Sequence, residues 1–258
     1  MLEAIGRYWR VFGVGFSFFA FGVGGLAMRV FAFPLLSVLI ADRQRRAIFA
    51  RDLIRGSFRC FVGLMRALGV MRYDITGVER LDRQGLLIVA NHPTLIDIVL
   101  LMAFVKRADC IVKSGLWHNP FTYGPVRAAG YIRNDSGVGL IEDCIASVRG
   151  GSNLIIFPEG TRTRDGSMML KRGAANIAVR AACNVTPVFI RCTPPVLRKG
   201  QRWWQATARS VHFCIEVEDD IDIGPFIAQA GSAALAARQL TDHLRDYFIT
   251  KQNGHAVA

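Results

Sequence analysis

The chain has 258 residues, 52% of them apolar, and a formal net charge of +12 at pH 7. This length is too short for two full domains but sufficient for one α/β domain with an appendage, which buries roughly 75% of its unfolded surface. The charge indicates an anionic partner: nucleic acid, an anionic membrane or a phosphorylated substrate. The six cysteines show no Cys-x-x-Cys pair and no regular spacing. This pattern indicates neither a zinc site nor a disulfide framework and predicts a reduced, cytosolic domain.

A 31-residue apolar stretch, residues 11–41, contains Arg29 as its only charge. Because a bilayer core takes about 20 helical residues, the stretch predicts a membrane-embedded segment. It could be a tilted span or a shallow helical hairpin broken near Arg29 and Pro34. A cleaved signal peptide is the alternative, since Arg7 and Arg10 precede the stretch. The length of the stretch, its five glycines and its proline favour a retained segment.

The next segment, residues 42–72, contains eight arginines and two acids. Apolar residues recur in it at steps of four, three, four and three: Ile54, Phe58, Phe61, Met65 and Leu68. This spacing predicts a basic amphipathic helix beside the membrane segment. Its apolar face could contact lipid, pack on the main domain, or do both. Because arginines are denser on this flank than before the apolar stretch, the positive-inside rule places the main domain in the cytoplasm.

After residue 72, short apolar runs alternate with helical stretches. The predicted strands are 86–90, 110–112, 153–157, 185–191 and 211–217, and the predicted helices are 96–105, 136–148, 172–182 and 233–248. This alternation predicts an α/β fold with a largely parallel sheet flanked by helices. We therefore expect a membrane-anchoring segment and basic helix over 1–72 and the main domain over 73–258.

The first unusual loop, "NHPTLID", follows the first of these predicted strands. Pro93 disfavours a helical conformation at His92 but fits a first helical turn, so a sharp entry into a helix is expected. With that entry His92 can fold back to meet Asp97. A carboxylate there would keep one imidazole nitrogen protonated and leave the other to take a proton from a hydroxyl. Alternatively, Thr94 and Asp97 form a capping box that only starts the helix, which leaves His92 unexplained.

The second unusual loop, "FPEGTRTRDG", occupies residues 157–166. It presents Glu159, Gly160, Thr161 and Arg162, and the last three of these suit an anionic head group. Glycine permits close backbone approach, threonine adds a hydroxyl, and arginine adds a planar donor fork that matches phosphate oxygens. An ordinary proline-glycine turn is the alternative interpretation.

Together the loops resemble the 1-acyl-glycerol-3-phosphate acyltransferases and their lysophospholipid acyltransferase relatives. That family carries Asn-His-x-x-x-x-Asp, matched by Asn91, His92 and Asp97, and Phe-Pro-Glu-Gly-Thr-Arg, matched without a gap by residues 157–162. Its proline-containing downstream strand is matched by residues 185–190. The resemblance covers roughly residues 75–192 and implies that the main domain is an acyltransferase domain.

The resemblance implies that His92 is the general base, that Asp97 orients it, and that residues 159–162 bind the acceptor. The acceptor hydroxyl would then attack an acyl thioester directly, with acyl-CoA or acyl-acyl-carrier-protein as co-substrate. It implies no bound cofactor. No metal is predicted, since the remaining histidines lack ligand-like spacing: His118, His212, His243 and His255. The chain also lacks a Gly-x-Ser-x-Gly nucleophile elbow.

The chain departs from the family in its second motif, usually Gly-x-Ile-Phe-Ile-Asp-Arg. The equivalent stretch, residues 130–136, ends in Ser136, and Arg133 lies three residues earlier. Because the terminal arginine helps to hold the acceptor phosphate in relatives, the resemblance makes Arg133 its candidate substitute.

The leading prediction is a membrane O-acyltransferase that moves a fatty acyl group to 1-acyl-glycerol-3-phosphate, giving phosphatidic acid. A specialised acceptor is the alternative: a lyso-aminolipid such as lyso-ornithine lipid, a glycolipid or another hydroxylated amphiphile. A catalytically silent lipid-binding protein is the alternative from another class. The expected partners are a lysophospholipid acceptor, an acyl thioester donor and an anionic membrane. Nucleic acid is not among them, since no nucleic-acid-binding fold signature is found.

Overall fold

The structure is a computed structural model that describes residues 2–134, 139–163, 168–198, 200–201 and 209–254. Its α-helices are α1 (Leu2–Ala27), α2 (Phe33–Leu39), α3 (Arg43–Ala67), α4 (Asp97–Phe104), α5 (Tyr123–Ala129), α6 (Leu140–Arg149), α7 (Gly173–Ala181), α8 (Gly224–Gln229) and α9 (Ala233–Gly254). Its strands are β1 (Met71–Thr76), β2 (Leu87–Ala90), β3 (Ala108–Val112), β4 (Ile132–Arg133), β5 (Asn153–Ile156), β6 (Val185–Thr193) and β7 (Val211–Val217).

Within the described residues, seven strands form one sheet in the order β1-β7-β6-β2-β5-β3-β4. Neighbouring strands are parallel except for β6 and β7, which are antiparallel. The predicted largely parallel sheet flanked by helices is therefore confirmed. The carboxyl ends of β2, β3, β4, β5 and β6 lie at one edge of the sheet, and the antiparallel pairing brings the start of β7 and of β1 to that same edge.

The two faces of the sheet carry separate apolar cores, as alternation along β2 shows. Leu87 and Val89 belong to the core beneath α6, α7 and α9, whereas Ile88 and Ala90 belong to the core beneath α3, α4 and α5. Successive residues of a strand point to opposite faces of the sheet. A strand covered by helices on both faces therefore contributes apolar residues to both cores.

Every predicted strand and helix has a counterpart, but β1, β4, α5 and α8 were not predicted. Because β1 begins at Met71, the boundary expected after residue 72 falls inside the first strand. The helix predicted from residue 136 begins at Leu140, and residues 135–138 lie outside the described part of the chain.

The N-terminal apolar stretch forms one long helix in which α1 continues through a π-helical segment, Met28–Ala32, into α2. The chain does not reverse there, so the hairpin alternative does not hold; the irregularity before Pro34 is a local widening of the helix. Within it, Gly6–Leu39 is long and apolar enough to cross a membrane, with a mean hydropathy of 1.8. Length and composition alone are weak evidence, because signal sequences share them.

The apolar face of α3 packs against the domain. Ile54, Phe61 and Met65 are buried in the core, with Phe58 and Leu68 partly buried beside it. Arg59 and Arg66 are exposed on the other side of α3, whereas Arg51, three residues before Ile54, lies on the packed face. Its guanidinium donates to Asp109 Oδ2 at 2.9 Å. Helix α3 is therefore an integral layer of the fold.

Candidate active site

His92 and Asp97 meet where β2 ends. His92 follows the strand, Pro93 interrupts the backbone, and Asp97 opens α4. Nδ1 of His92 lies 2.8 Å from Oδ2 of Asp97, as the predicted fold-back requires. The His92 side chain is 19% exposed, and within the described residues its Nε2 has no hydrogen-bond partner. Nε2 is therefore the ring nitrogen that a bound ligand could contact.

Asp97 is completely buried and is held by more than the histidine. The backbone N–H of Thr94 donates to Oδ2 at 2.7 Å, and the Thr94 hydroxyl donates to Oδ1. Burial raises the pKa of Asp97, while the hydrogen bonds from His92 and Thr94 lower it. The carboxylate thus holds the turn before α4 and orients the imidazole. It does not form a capping box, because the N-cap of α4 is Ile96 and has no side-chain cap hydrogen bond.

The second loop lies directly over the first because β5 is the parallel neighbour of β2. Phe157, the residue after β5, stacks on the His92 ring with centroids 4.2 Å apart and an interplanar angle of 21°. The carboxyl ends of adjacent parallel strands meet at one edge, which is where ligands bind in such sheets.

Glu159 joins the two loops. Its Oε1 accepts from the His92 backbone N–H at 3.0 Å and from the Thr163 hydroxyl at 2.7 Å. The N–H of Thr163 in turn donates to the carbonyl of His92 at 2.7 Å. Burial is the main influence on Glu159 and raises the pKa of its carboxyl. Glu159 thus fixes the position of His92, and Thr163 is a site residue that the sequence motifs did not predict.

Gly160 and Arg162 occupy the exposed turn of this loop. Gly160 has φ of +67°, a backbone conformation that favours glycine. Nη1 of Arg162 donates to the carbonyls of Leu197 and Arg198 at 2.7 and 2.9 Å. Its Nε and Nη2 carry no hydrogen bond within the described residues. Thr161 is half-buried.

Arg133 lies apart from this group. It ends β4, which is three positions from β2 in the sheet, about 14 Å at the usual strand spacing. Its guanidinium sits over the Trp117 ring at 4.9 Å. The structure does not bring Arg133 into contact with His92, and Ser136 lies outside the described residues.

Asn91, the first residue of the histidine motif, has a structural role. Its side chain donates to the carbonyl of Ile190 at 2.8 Å and accepts from the N–H of Ile190 at 2.7 Å. This pair of bonds ties the end of β2 to β6 and fixes the backbone from which His92 projects. All six cysteines lie in the described residues and are free thiols, and no group of three or more His, Cys, Asp or Glu in that part of the chain could hold a metal ion.

Comparison with known proteins confirms the resemblance carried by the motifs. Residues 72–191 match the family model described as Acyltransferase. The chain is 28% identical over 175 residues to 1-acyl-sn-glycerol-3-phosphate acyltransferase BAT2, chloroplastic, of Brassica napus, which covers 63% of the chain and 48% of that protein. It is 33% identical over 131 residues to the 1-acyl-sn-glycerol-3-phosphate acyltransferase of Helicobacter pylori, covering 46% of the chain and 55% of that protein.

The chain thus spans about half the length of these curated relatives. The crystal structure of the 1-acyl-sn-glycerophosphate acyltransferase PlsC from Thermotoga maritima superposes with a TM-score of 0.68 at 22% identity, covering 97% of this chain and 98% of that one. At that identity the likeness establishes the fold.

Proposed function

We propose that this chain, whose residues 72–191 match the family model described as Acyltransferase, is a membrane-bound O-acyltransferase acting on a lysophospholipid. The observation that carries the proposal is the His92–Asp97 pair, with Nδ1 and Oδ2 2.8 Å apart. The free side of the imidazole is open at the sheet edge where the second loop supplies donors. A protein that only bound lipid would need neither the oriented histidine nor its buried carboxylate.

In the proposed reaction, Nε2 of His92 takes the proton from the acceptor hydroxyl while that oxygen attacks the thioester carbonyl. The carbon–sulfur bond breaks as the new ester bond forms, and the thiolate leaves with the proton from His92. Asp97 keeps Nδ1 protonated throughout and stabilises the imidazolium. No acyl group is transferred to the protein.

The acceptor phosphate is proposed to bind at Arg162, whose Nη1 is anchored by the carbonyls of residues 197 and 198 and whose Nε and Nη2 have no hydrogen bond to any residue that the structure describes. An anchored guanidinium loses little freedom when it binds an anion. Relatives named 1-acyl-sn-glycerol-3-phosphate acyltransferase support 1-acyl-glycerol-3-phosphate as acceptor and phosphatidic acid as product.

A specialised acceptor, such as a lyso-aminolipid or glycolipid, is the second candidate. The observation that favours it is Ser136 in place of the family's phosphate-binding arginine. The nearby Arg133 lies three strand positions from β2. Such an acceptor would need fewer cations beside the histidine.

We propose that the long N-terminal helix lies in the membrane interface. Its contacts with the domain run from Trp9, which donates to the carbonyl of Leu68, through Arg29, which donates to that of Pro120, to the buried Phe33. At 1.5 Å per residue this is about 36 Å, more than the roughly 30 Å hydrocarbon core. An upright helix would therefore immerse the flanking domain in lipid. Lying flat, the helix holds the active-site edge at the membrane surface, on the cytoplasmic side if the arginine distribution decides orientation.

An acceptor panel tests the proposal. Purified protein in mixed micelles is given one acyl donor and either 1-acyl-glycerol-3-phosphate, a lyso-aminolipid or a lysoglycolipid, and products are identified by mass spectrometry. Each acceptor is run with acyl-CoA and with acyl-acyl-carrier-protein, and His92→Ala protein is the control. We expect His92-dependent phosphatidic acid. A lyso-aminolipid product with no phosphatidic acid would replace the leading acceptor with the second, and no product with any acceptor would contradict the enzyme assignment.

A further inference from the structure

A basic cleft of about 1010 Å³ lies between the start of α1, the end of α3 and the first residues of β1 and β7. Its arginine, histidine and aspartate lining residues are Arg10, Arg66, Arg72, Arg209, His212 and Asp74. Asp74 is the one acid among the described lining residues, and its Oδ2 already lies 2.7 Å from Nε2 of His212. The cleft therefore has an excess of positive charge and is suited to an anion.

The cleft wall also allows close approach and offers a hydroxyl. Gly69 has φ of +68° with open space where a side chain would lie. The hydroxyl of Ser210 is buried and has no hydrogen-bond partner within the described residues. Arg66 is held against the wall with its guanidinium 5.4 Å from the centre of the Tyr73 ring. A hydroxyl and a positioned guanidinium are typical partners of phosphate oxygens.

The cleft is separate from the catalytic loops but opens at the same edge of the sheet. His212 pairs with Thr193 at the end of β6, so the start of β7 lies at the edge where His92 follows β2. Strand β1 is three positions from β2, about 14 Å across the sheet. In a glycerol phosphate acceptor only a few bonds separate the hydroxyl from the phosphate. A single acceptor molecule therefore cannot reach both sites.

An apolar surface adjoins the cleft. Trp9 Nε1 donates to the carbonyl of Leu68, the residue before Gly69, at 3.0 Å. Tyr8, Trp9 and Phe12 are 75%, 50% and 58% exposed on the same end of α1. Exposed aromatic residues beside arginines are typical of the headgroup level of a membrane. A ligand that fills both surfaces carries a phosphate and an apolar chain.

We propose that this cleft binds the phosphate of an anionic phospholipid whose acyl chains lie along the exposed face of α1. The site rests on the membrane association proposed above and is distinct from the acceptor site at Arg162. It gives the enzyme a fixed lipid contact at the end of the sheet farthest from β4, beyond the diffuse attraction of its surface arginines.

Binding of short-chain lipids by the full-length protein in a nonionic detergent tests the site. Native mass spectrometry and titration are carried out with dihexanoyl phosphatidylglycerol, with dihexanoyl phosphatidylcholine and with inorganic phosphate. The cleft variant is Arg66→Gln/Arg72→Gln. The matched control, Arg238→Gln/Arg245→Gln, removes the same charge from α9 on the opposite face of the sheet. Ser210→Ala serves as a second cleft variant that leaves the charges in place.

We expect one saturable equivalent of phosphatidylglycerol, bound roughly tenfold or more weaker by the double cleft variant, since two charge-assisted contacts are lost. Ser210→Ala should weaken binding less, and the control pair and Arg162→Ala should retain the equivalent. Unchanged binding in both cleft variants would overturn the site, and so would phosphatidylcholine binding equally well. Inorganic phosphate binding as tightly as phosphatidylglycerol would overturn the lipid in favour of a free anion.

The readout is binding, so it is independent of acyl transfer. A chain that bound phosphatidylglycerol in the cleft but produced no acylated lipid would contradict the proposed function and leave the cleft site in place. A chain active on lysophospholipid whose cleft variants bound normally would contradict the cleft site alone.

Discussion

His92 and Asp97, only five positions apart in the sequence, are joined by a hydrogen bond of 2.8 Å between Nδ1 and Oδ2. The same carboxylate accepts from the backbone of Thr94 at 2.7 Å, so the start of α4 and the imidazole are held by one buried group. The imidazole is therefore oriented by a carboxylate that is itself fixed at the start of α4.

His92→Ala should lower acyl-transfer turnover by about 10²–10⁴-fold, since this is the usual contribution of a general base. The ring is partly exposed and its removal should leave the fold intact, which circular dichroism checks. His243→Ala, an exposed histidine on α9, is the matched control and should keep wild-type turnover. Near-normal turnover of folded His92→Ala protein would contradict the proposed mechanism.

Asp97→Asn should be severe as well, lowering turnover by roughly 10²-fold or more, because an amide can present N–H to Nδ1 and favour the wrong tautomer. Thr94→Val should lower turnover less than Asp97→Asn does. It removes the hydroxyl bond to Oδ1 while the Thr94 backbone bond to Oδ2 persists. Equal losses in both variants would indicate that the pair matters for the start of α4 and not for the tautomer. Measurement of turnover alongside melting temperature separates the two effects.

Arg162→Ala should raise the acceptor KM far more than the donor KM, since the guanidinium is proposed to bind the acceptor phosphate. Arg162→Lys keeps the charge but loses the fork that also reaches the carbonyl of Leu197, so an intermediate effect is expected. Arg133→Ala tests the other arginine. Unchanged acceptor kinetics there would show that Arg133 does not replace the missing family arginine and would strengthen the second candidate acceptor.

Asp220 should add stability that is lost in acid. The guanidinium of Arg83 donates to both carboxylate oxygens of Asp220, at 2.7 and 2.8 Å. These bonds hold the pKa of Asp220 below its ordinary value. The unfolded chain then binds the proton more tightly than the folded chain. The stabilisation is complete above the pKa of Asp220 in the unfolded chain, about 3.9. It is lost as pH falls through the lower pKa that Asp220 has in the folded chain. Asp220→Asn should therefore lower Tm at pH 7, and the difference should shrink below about pH 4.

Asp246→Asn, which removes a solvated ion pair with Arg245 on α9, should change Tm little at either pH because exposed pairs contribute little. A Tm difference for Asp220→Asn that grew on acidification would contradict a lowered pKa of Asp220 in the folded chain.

The sequence predicted the contact between His92 and Asp97 because every part of it is local. Pro93 sets the turn, and Asp97 follows His92 by five positions. It also predicted the parallel sheet, since each buried strand reads as an apolar run. Strand β1 was missed because its first residues were assigned to the preceding helix. Gly69, with φ of +68°, follows the end of that helix. A glycine at this position is a common helix stop and could have indicated where the helix ends and β1 begins.

The remaining features of the site depend on contacts between distant segments. Thr163 reaches the backbone of His92 across 71 residues, and Arg162 reaches the carbonyl of Leu197 across 35. Neither separation matches the repeat of a helix or a strand, so neither contact could be recognised from the sequence pattern. The separation of Arg133 from His92 likewise depends on strand order, which alternating strands and helices leave open.

The position of the long N-terminal helix gives the last prediction. One face of it packs on the domain, where Phe21 lies 5.7 and 4.9 Å from Phe58 and Phe61 between ring centroids. The other face is apolar and exposed, with Phe12 58% and Phe19 68% accessible. A soluble monomer rarely exposes so large an apolar patch. This surface is therefore expected to be covered by lipid.

Full-length protein should stay with membranes through high-salt and alkaline-carbonate washes, because apolar contact and not charge holds it. Phe12→Asp/Phe19→Asp should make binding weaker and salt-sensitive while keeping the packed face intact. Leu235→Asp/Ile249→Asp, on the opposite layer at α9 and 42% and 36% exposed, is the matched control and should bind as wild type. Deletion of residues 1–41 should weaken binding further, and activity on bilayer acceptor should fall more than on a short-chain acceptor. If salt alone released the wild-type protein, the proposal of a membrane-embedded helix would be contradicted. The arginines would then be the main membrane contact.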